Sequence, residues 1–140
     1  MCEQFITELI KRSYISNTYN IGGVNQMAQT PVTTTTEVDI LDKVKVDKKQ
    51  GIITFDLSPS DVVRYTDLPK IIDKIYKEMQ ETNTDVIKIT GRGPIWLYSA
   101  VVHTVAHLSK AVAIFDGVNK KYVVVVSHSQ EYKVGDTLAQ

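Results

Sequence analysis

Three histidines, a glycine-flanked arginine and an aspartate at the end of an apolar run are the residues here whose types and spacing could do chemistry. Thr90-Gly91-Arg92-Gly93-Pro94 separates two apolar stretches. A strand that ends in a glycine turn and opens a helix presents backbone N–H groups and the positive end of the helix dipole, which suits an anion. The guanidinium of Arg92 could grip a phosphate through two parallel hydrogen bonds. Gly91 and Gly93 would let the backbone approach it closely. The plain alternative is a tight βα turn with a solvated arginine.

The next stretch, Ile95 to about Leu108, is apolar almost all round, yet Ser99, His103 and His107 recur in it at intervals of four. On a helix that spacing places them on one face. Two histidines four apart can share a metal or line a catalytic pocket, although the H-E-x-x-H pattern is absent. Asp116 directly follows Ala111–Phe115. A carboxylate at the C-terminal end of a strand is where α/β proteins keep acids, but Asp-Gly is also a common turn dipeptide. Ser127-His128-Ser129 follows Tyr122–Val126, with the two serines on one face of a strand and His128 on the other. No G-x-S-x-G elbow is present, so a serine triad does not follow from spacing.

The elements that must position these residues are legible in outline. Val38, Ile40, Val44 and Val46 suggest a first strand, and Gly51–Leu57 a second, joined by a turn at Lys48–Gly51. Leu68-Pro69 reads as a helix start, with Ile71, Ile72, Ile75, Tyr76 and Met79 at helical spacing to about Gln80. Asp85–Thr90 is a strand, Ile95–Leu108 a second helix, and Ala111–Phe115 and Tyr122–Val126 a hairpin. A terminal edge strand can follow the turn at Lys133–Asp136. The order β-β-α-β-α-β-β predicts an α/β fold: a reduced, Rossmann-like mixed sheet with helices packed on it, its β-α-β-α-β part parallel and right-handed. The dinucleotide fingerprint and the Walker A pattern are both absent.

Composition bounds the partners. Sixteen Lys+Arg balance sixteen Asp+Glu, so no polycation coats nucleic acid non-specifically, and DNA is not an expected partner. The single Cys2 precludes an internal disulfide or a multi-cysteine zinc site within one chain and agrees with a cytoplasmic location. No apolar run approaches the ~18–20 residues of a membrane span. Residues 1–36 stand apart from the α/β domain expected over 37–140. Phe5, Ile6, Leu9 and Ile10 could form one face of a short helix, and Ser13 to Thr36 is linker-like, with four consecutive threonines at 33–36. The favoured reading is a flexible extension. The sharper one is a docking helix on a tether. Met27 is a possible alternative start that would make residues 1–26 dispensable.

Taken in order, Ile89-Thr-Gly-Arg-Gly-Pro-Ile-Trp-Leu97, the apolar stretch with its histidines, Ala113-Ile-Phe-Asp116, Val123-Val-Val-Val-Ser-His-Ser129 and Val134-Gly-Asp136 resemble the small third family of CRISPR-associated ring nucleases of type III systems. The resemblance covers roughly residues 38–138. It implies a small CRISPR-associated Rossmann fold that forms dimers. The implied activity is cleavage of cyclic tetra-adenylate, a second messenger of antiviral signalling, with manganese as the associated metal. The family's other described activity is manganese-dependent exoribonuclease action on 3′ adenylate tails; a third possibility is a binder that sequesters the messenger without cleaving it. By motif, Arg92 would contact phosphate, with Gly91, Gly93, Ser99 and His103 around the ligand. His107, Asp116 and His128 would be catalytic, and Asp116 and His107 metal ligands. The family's helix histidines are three apart, whereas His103 and His107 are four apart; the catalytic role is assigned to His107 because Ala106 cannot exchange a proton.

Strand polarity adds a geometric expectation. If 85–90 and 111–115 are parallel, Arg92 and Asp116 lie at their C-terminal edge, while His107 and His128 lie at the opposite edge. A five-residue strand spans roughly 17 Å and a 13-residue helix roughly 20 Å, so the two pairs cannot meet inside one subunit. The expectation is a site completed between molecules, dimers stacking to tetramers or filaments on the ligand.

Overall fold

The computed structural model describes residues 39–140. The expected first-strand residue Val38, the domain start at 37 and the extension 1–36 lie outside the described residues. At Asp39 the side chain accepts a hydrogen bond from the Leu41 amide at 3.1 Å. That local cap draws Ile40–Lys43 into a 3-10 turn rather than a strand. The first strand, β1 (Val44–Asp47), therefore begins at Val44. The Asp47 carboxylate accepts from the amides of Lys49 and Gln50, both at 3.0 Å, and the chain returns antiparallel as β2 (Ile52–Phe55).

Helix α1 (Leu68–Met79) carries Pro69 in its first turn and buries Ile71, Ile75, Tyr76 and Met79, a stripe of helical period. Ile72 lies at its margin, half-buried. Strand β3 (Val86–Gly91) follows and pairs parallel with β2. Helix α2 (Ile95–Val105) leads to β4 (Ala111–Asp116), parallel to β3, and β5 (Lys121–Ser127) returns antiparallel. The short β6 (Thr137–Leu138) closes the sheet against β5. Helix α2 ends at Val105, three residues before the expected Leu108. The last residues of the stretch form a tight turn in which the Leu108 amide donates to Val105 O at 3.0 Å and the Ser109 hydroxyl to Ala111 O at 2.7 Å.

The sheet order is β1-β2-β3-β4-β5-β6, with no reversal. Two successive right-handed crossovers that step the same way across a sheet place both helices on one face. Accordingly Ile71, Ile75 and Met79 of α1 and Leu97, Val101 and Val105 of α2 share one core with Ile53, Phe55, Ile87, Ile89 and Val112. The opposite face holds a smaller cluster, Ala111, Ala113, Tyr122 and Val124, against which Tyr132 and Leu138 of the C-terminal segment pack. This is the small Rossmann-like α/β arrangement expected from the sequence. Among the described residues no helix is long and apolar enough to cross a membrane.

Candidate functional site: two clusters at opposite edges of the sheet

The C-terminal edge of the parallel strands holds the first cluster. Strands β3 and β4 are parallel with Ile89 opposite Ile114, so Arg92 and Asp116 emerge at the same end. Arg92 is exposed and makes no ion pair among the described residues. Its backbone amide donates to Phe55 O at 3.0 Å, so that N–H is not free for a ligand. Gly91 has φ +102°, and a Cβ there would lie 2.3 Å from Phe55 O. Gly91 is thus required by the close approach of β2, not by a phosphate. At Gly93 a Cβ would lie 3.1 Å from Leu97 Cδ2, again a packing reason. The expected backbone cradle therefore reduces to the side chain of Arg92 and the N-terminus of α2. Because the strand order never reverses, no crevice of the kind found at a topological switch point opens beside it.

Two aromatic rings hold this turn in place. Tyr98 meets Phe55 edge-on, with centroids 5.1 Å apart, and its hydroxyl donates to Gly91 O. Burial pushes the Tyr98 phenol up to about 12, so it stays a neutral donor.

Asp116 accepts from the Val118 amide at 2.9 Å through Oδ1 and from Asn119 Nδ2 at 2.7 Å through Oδ2. The Asn119 side chain, then the Val118 amide, hold its carboxyl below the usual carboxylate range. Both oxygens serve the β4–β5 turn, which Lys120 completes in the left-handed region at φ 57°. Lys121 lies directly across from Asp116 on β5. Lys120 and Lys121 are exposed cations at the start of β5. The family that the sequence resembles has a basic residue soon after this aspartate, and in this chain the first one, Lys120, comes four residues later; the sequence reading assigned neither lysine to the site.

The opposite edge holds the second cluster. Ser127 pairs with Ala111 at the start of β4. Its hydroxyl donates to Ser129 O at 2.9 Å and Tyr132 O at 2.5 Å, and the Ser129 hydroxyl accepts from the Glu131 amide at 3.1 Å. The two serines therefore build the turn that presents His128, whose own amide donates to Lys110 O at 2.8 Å. His107 follows the end of α2 and stacks on His128, with ring centroids 4.5 Å apart and planes at 24°. Both rings are exposed at this edge. Lys110 follows His107 by three residues, and its Nζ is 3.2 Å from Glu131 and 3.7 Å from Asp85. Those carboxylates, Glu131 foremost through its hydrogen bond, raise its pKa. That network of basic and acidic groups was not anticipated.

Of the three residues expected on one helix face, Ser99 and His103 lie on α2, and His107 lies two residues past its end, in the turn that follows. Ser99 donates back to Ile95 O at 3.1 Å and borders an apolar groove, and His103 is exposed on α2. Nor does one chain bring Asp116 and His107 together as metal ligands. Strand β4 separates their edges by roughly 17 Å. Among the described residues no three His, Cys, Asp or Glu side chains converge on a metal position, so the described part of one chain does not by itself assemble a metal-binding set.

The fold and its two clusters define a small α/β protein with a Rossmann-like sheet and candidate polar residues at both strand edges. The chain belongs to the family described as CRISPR-associated protein (Cas_csx3), which it matches over residues 56–139. It is also 36% identical over 94 residues to an uncharacterized protein of Aquifex aeolicus (strain VF5), covering 67% of this chain and 81% of that protein. No solved structure matches it significantly.

Proposed function

We propose that this protein is a ring nuclease: it binds cyclic tetra-adenylate and cleaves one phosphodiester of the ring, lowering the messenger's concentration. One observation carries the reading. Arg92 and Asp116 lie at one edge of the sheet and the stacked His107 and His128 at the other, so phosphate-binding and proton-transferring groups meet only when one molecule's C-terminal edge faces another's histidine edge. A flat cyclic tetranucleotide laid between two such edges would touch both sets. Dimers stacking on the ligand supply that arrangement.

The chemistry needs only groups the chain carries. The 2′-oxygen of one adenosine attacks the adjacent phosphorus, and one imidazole takes its proton. The P–O5′ bond breaks, and the departing oxygen takes a proton from the second imidazole. The product is one linear tetranucleotide with a 2′,3′-cyclic phosphate at one end and a 5′-hydroxyl at the other. Imidazole suits both transfers because it exchanges protons near neutral pH. Arg92, with Lys120 and Lys121, would neutralise charge growing on the phosphoryl oxygens. Asp116, committed to Val118 and Asn119, would fix the turn that carries the lysines.

A second reading is a binder that sequesters the messenger. It needs only the exposed Arg92, which makes no ion pair among the described residues, and none of the histidines. Purified protein mixed with cyclic tetra-adenylate, or with an RNA ending in a short 3′ adenylate tail, each with and without manganese, separates the readings. Linear product from the ring supports a ring nuclease. Unchanged ring recovered from a stable complex supports the binder. Trimming of the tail with an intact ring makes the protein an exoribonuclease. Neither binding nor cleavage removes the cyclic ligand altogether.

A further inference from the structure

Neither imidazole of the stacked pair makes a hydrogen bond among the described residues, so the placement of each ring is inherited from the turn that carries it. An exposed ring with two free side-chain torsions does not keep one position by itself. His107 belongs to the turn between α2 and β4, and His128 to the turn after β5. Lys110 is where those two turns are joined. Its carbonyl accepts from the His128 amide at 2.8 Å, and its ammonium donates at 3.2 Å to Glu131 Oε1, three residues beyond His128. A third segment meets it there. The Lys110 amide donates to Asp85 O at 2.9 Å, and Nζ lies 3.7 Å from Asp85 Oδ1, directly before β3.

We propose that Lys110 is the positioning residue of the histidine pair: by bridging Glu131 and Asp85 it holds the turn of His128 against the turn of His107 and keeps the two rings stacked. The consequence for cleavage rests on the ring-nuclease reading. The consequence for ring geometry stands apart from it. Two imidazoles that serve one phosphodiester as base and acid must keep a fixed separation, and a displacement of about 1 Å can slow such a reaction by about a hundredfold.

The backbone bond to Lys110 O fixes the His128 turn at one point, about which the turn can still pivot. The ion pair at Glu131 fixes a second point on the same turn, and Asp85 ties the ammonium to the start of β3. Inside the turn the Ser127 hydroxyl accepts from the Ser129 amide at 3.3 Å, and the Ser129 hydroxyl from the Glu131 amide at 3.1 Å. A shift of Glu131 is therefore passed back along this chain of hydrogen bonds to His128. A lone exposed ion pair holds little, but a cation shared by two carboxylates and anchored by its own backbone is a network, the arrangement in which surface charges count. The three side chains are 45%, 54% and 62% exposed for Lys110, Asp85 and Glu131, so dissolved salt reaches them and weakens the bridge.

The test reads ring geometry and reaction separately in the full-length chain. The ring C–H resonances of His107 and His128, assigned with His107→Ala and His128→Ala, carry a shift that each ring imposes on the other while they stack. Lys110→Met keeps the backbone and the aliphatic stem and removes the charge. Glu131→Ala removes the nearer partner, and Lys110→Arg keeps the bridge. The proposal expects the mutual shift to be largely lost in Lys110→Met and Glu131→Ala and kept in Lys110→Arg. It expects the parent to lose part of the shift in about 1 M salt, where exposed charges are screened beyond about 3 Å. Cleavage of cyclic tetra-adenylate should slow by about tenfold or more in Lys110→Met and Glu131→Ala, through kcat rather than KM, and recover in Lys110→Arg. A folded Lys110→Met protein with the parent's mutual shift would overturn the proposal, and slowed cleavage beside that unchanged shift would place the ammonium on the substrate instead. A parent protein that leaves the ring intact would remove the ring-nuclease reading, and the shifts would still decide whether Lys110 positions the pair. If Lys110→Met fails to fold, Glu131→Ala, which alters only an exposed side chain, carries the same test.

Discussion

The imidazoles of His107 and His128 stack with centroids 4.5 Å apart, at the edge of the sheet remote from Asp116. Neither ring comes from a regular element. His107 follows the end of α2, and His128 follows β5 in a turn built by Ser127 and Ser129. Two imidazoles so placed can act as a base and an acid on one phosphodiester. His107→Ala and His128→Ala are each expected to slow ring cleavage by about 10²–10⁴-fold, the scale of general acid–base catalysis, while ligand affinity changes little. Ring cleavage at the parent rate by either variant would take that histidine out of the reaction.

Arg92 is an exposed guanidinium with no ion-pair partner among the described residues. Arg92→Ala should weaken binding of cyclic tetra-adenylate by about 1.5–3 kcal/mol, the range for a hydrogen bond to a charged group. Arg92→Lys should recover only part of that loss, since an ammonium cannot make the paired contact. Isothermal titration at fixed salt measures both. Equal affinity for all three proteins would place the phosphate elsewhere, with Lys120 and Lys121 the next residues to substitute.

The sequence disclosed most where period and chain polarity decide the outcome. The Ile71, Ile75 and Met79 stripe defined α1 almost to the residue, and the β-α-β-α-β order sufficed to put Arg92 and Asp116 at one edge and the two histidines at the other. It disclosed least where one side-chain hydrogen bond competes with a regular element. The Asp39 carboxylate turns Ile40–Lys43 into a 3-10 turn although the valines beyond it alternate like a strand. The apolar run suggests helix to about Leu108, but after Val105 a tight turn takes over and carries His107. The glycines of the Gly91-Arg92-Gly93 turn look alike for ligand approach and for steric fit, and only the position of Phe55 O separates the two reasons.

That steric reason makes a prediction. Gly91→Ala must place a methyl group 2.3 Å from a backbone oxygen at φ +102°, and neither β2 nor β3 can move without breaking the ladder. A loss of about 2 kcal/mol or more in unfolding free energy is expected. Gly117→Ala is the control. A Cβ there meets nothing within 4 Å, and the change should stay within about 0.5 kcal/mol. Urea unfolding of the two variants beside the parent decides the matter, and a Gly91→Ala protein as stable as the parent would refute the steric account.

Asp116 makes the β4–β5 turn sensitive to acid. Its carboxyl titrates below the usual range because Asn119 Nδ2, and then the Val118 amide, donate to the charged form. A folded-state pKa depressed below the unfolded one stabilises the fold above the unfolded value, about 3.9 for aspartate, and the contribution is lost as pH falls through the folded value. Asn119→Ala should raise the Asp116 pKa, read from its carboxyl resonance. It should also leave a stability deficit that is full near neutral pH and closes in acid. A deficit that stays constant down to pH 2 would mean that Asn119 acts through packing alone.

Assembly is the strictest test of the site, because it follows from strand direction alone. In one chain β4 holds the Asp116 edge roughly 17 Å from the histidine edge, farther than any pair of side chains can bridge around one phosphodiester. Each junction between stacked molecules would take Asp116 from one of them and His107 from the next. His107→Ala and Asp116→Ala proteins would then be inactive alone. Mixed, they would form some junctions in which an intact Asp116 edge meets an intact histidine edge, and cleavage should return to a fraction of the parent rate. Adding ligand should move the protein to larger species in sedimentation, and activity per subunit should fall on dilution below the stacking concentration. If the mixture stays inactive while both variants fold and bind ligand, or if activity per subunit is independent of concentration, the two edges do not share a substrate.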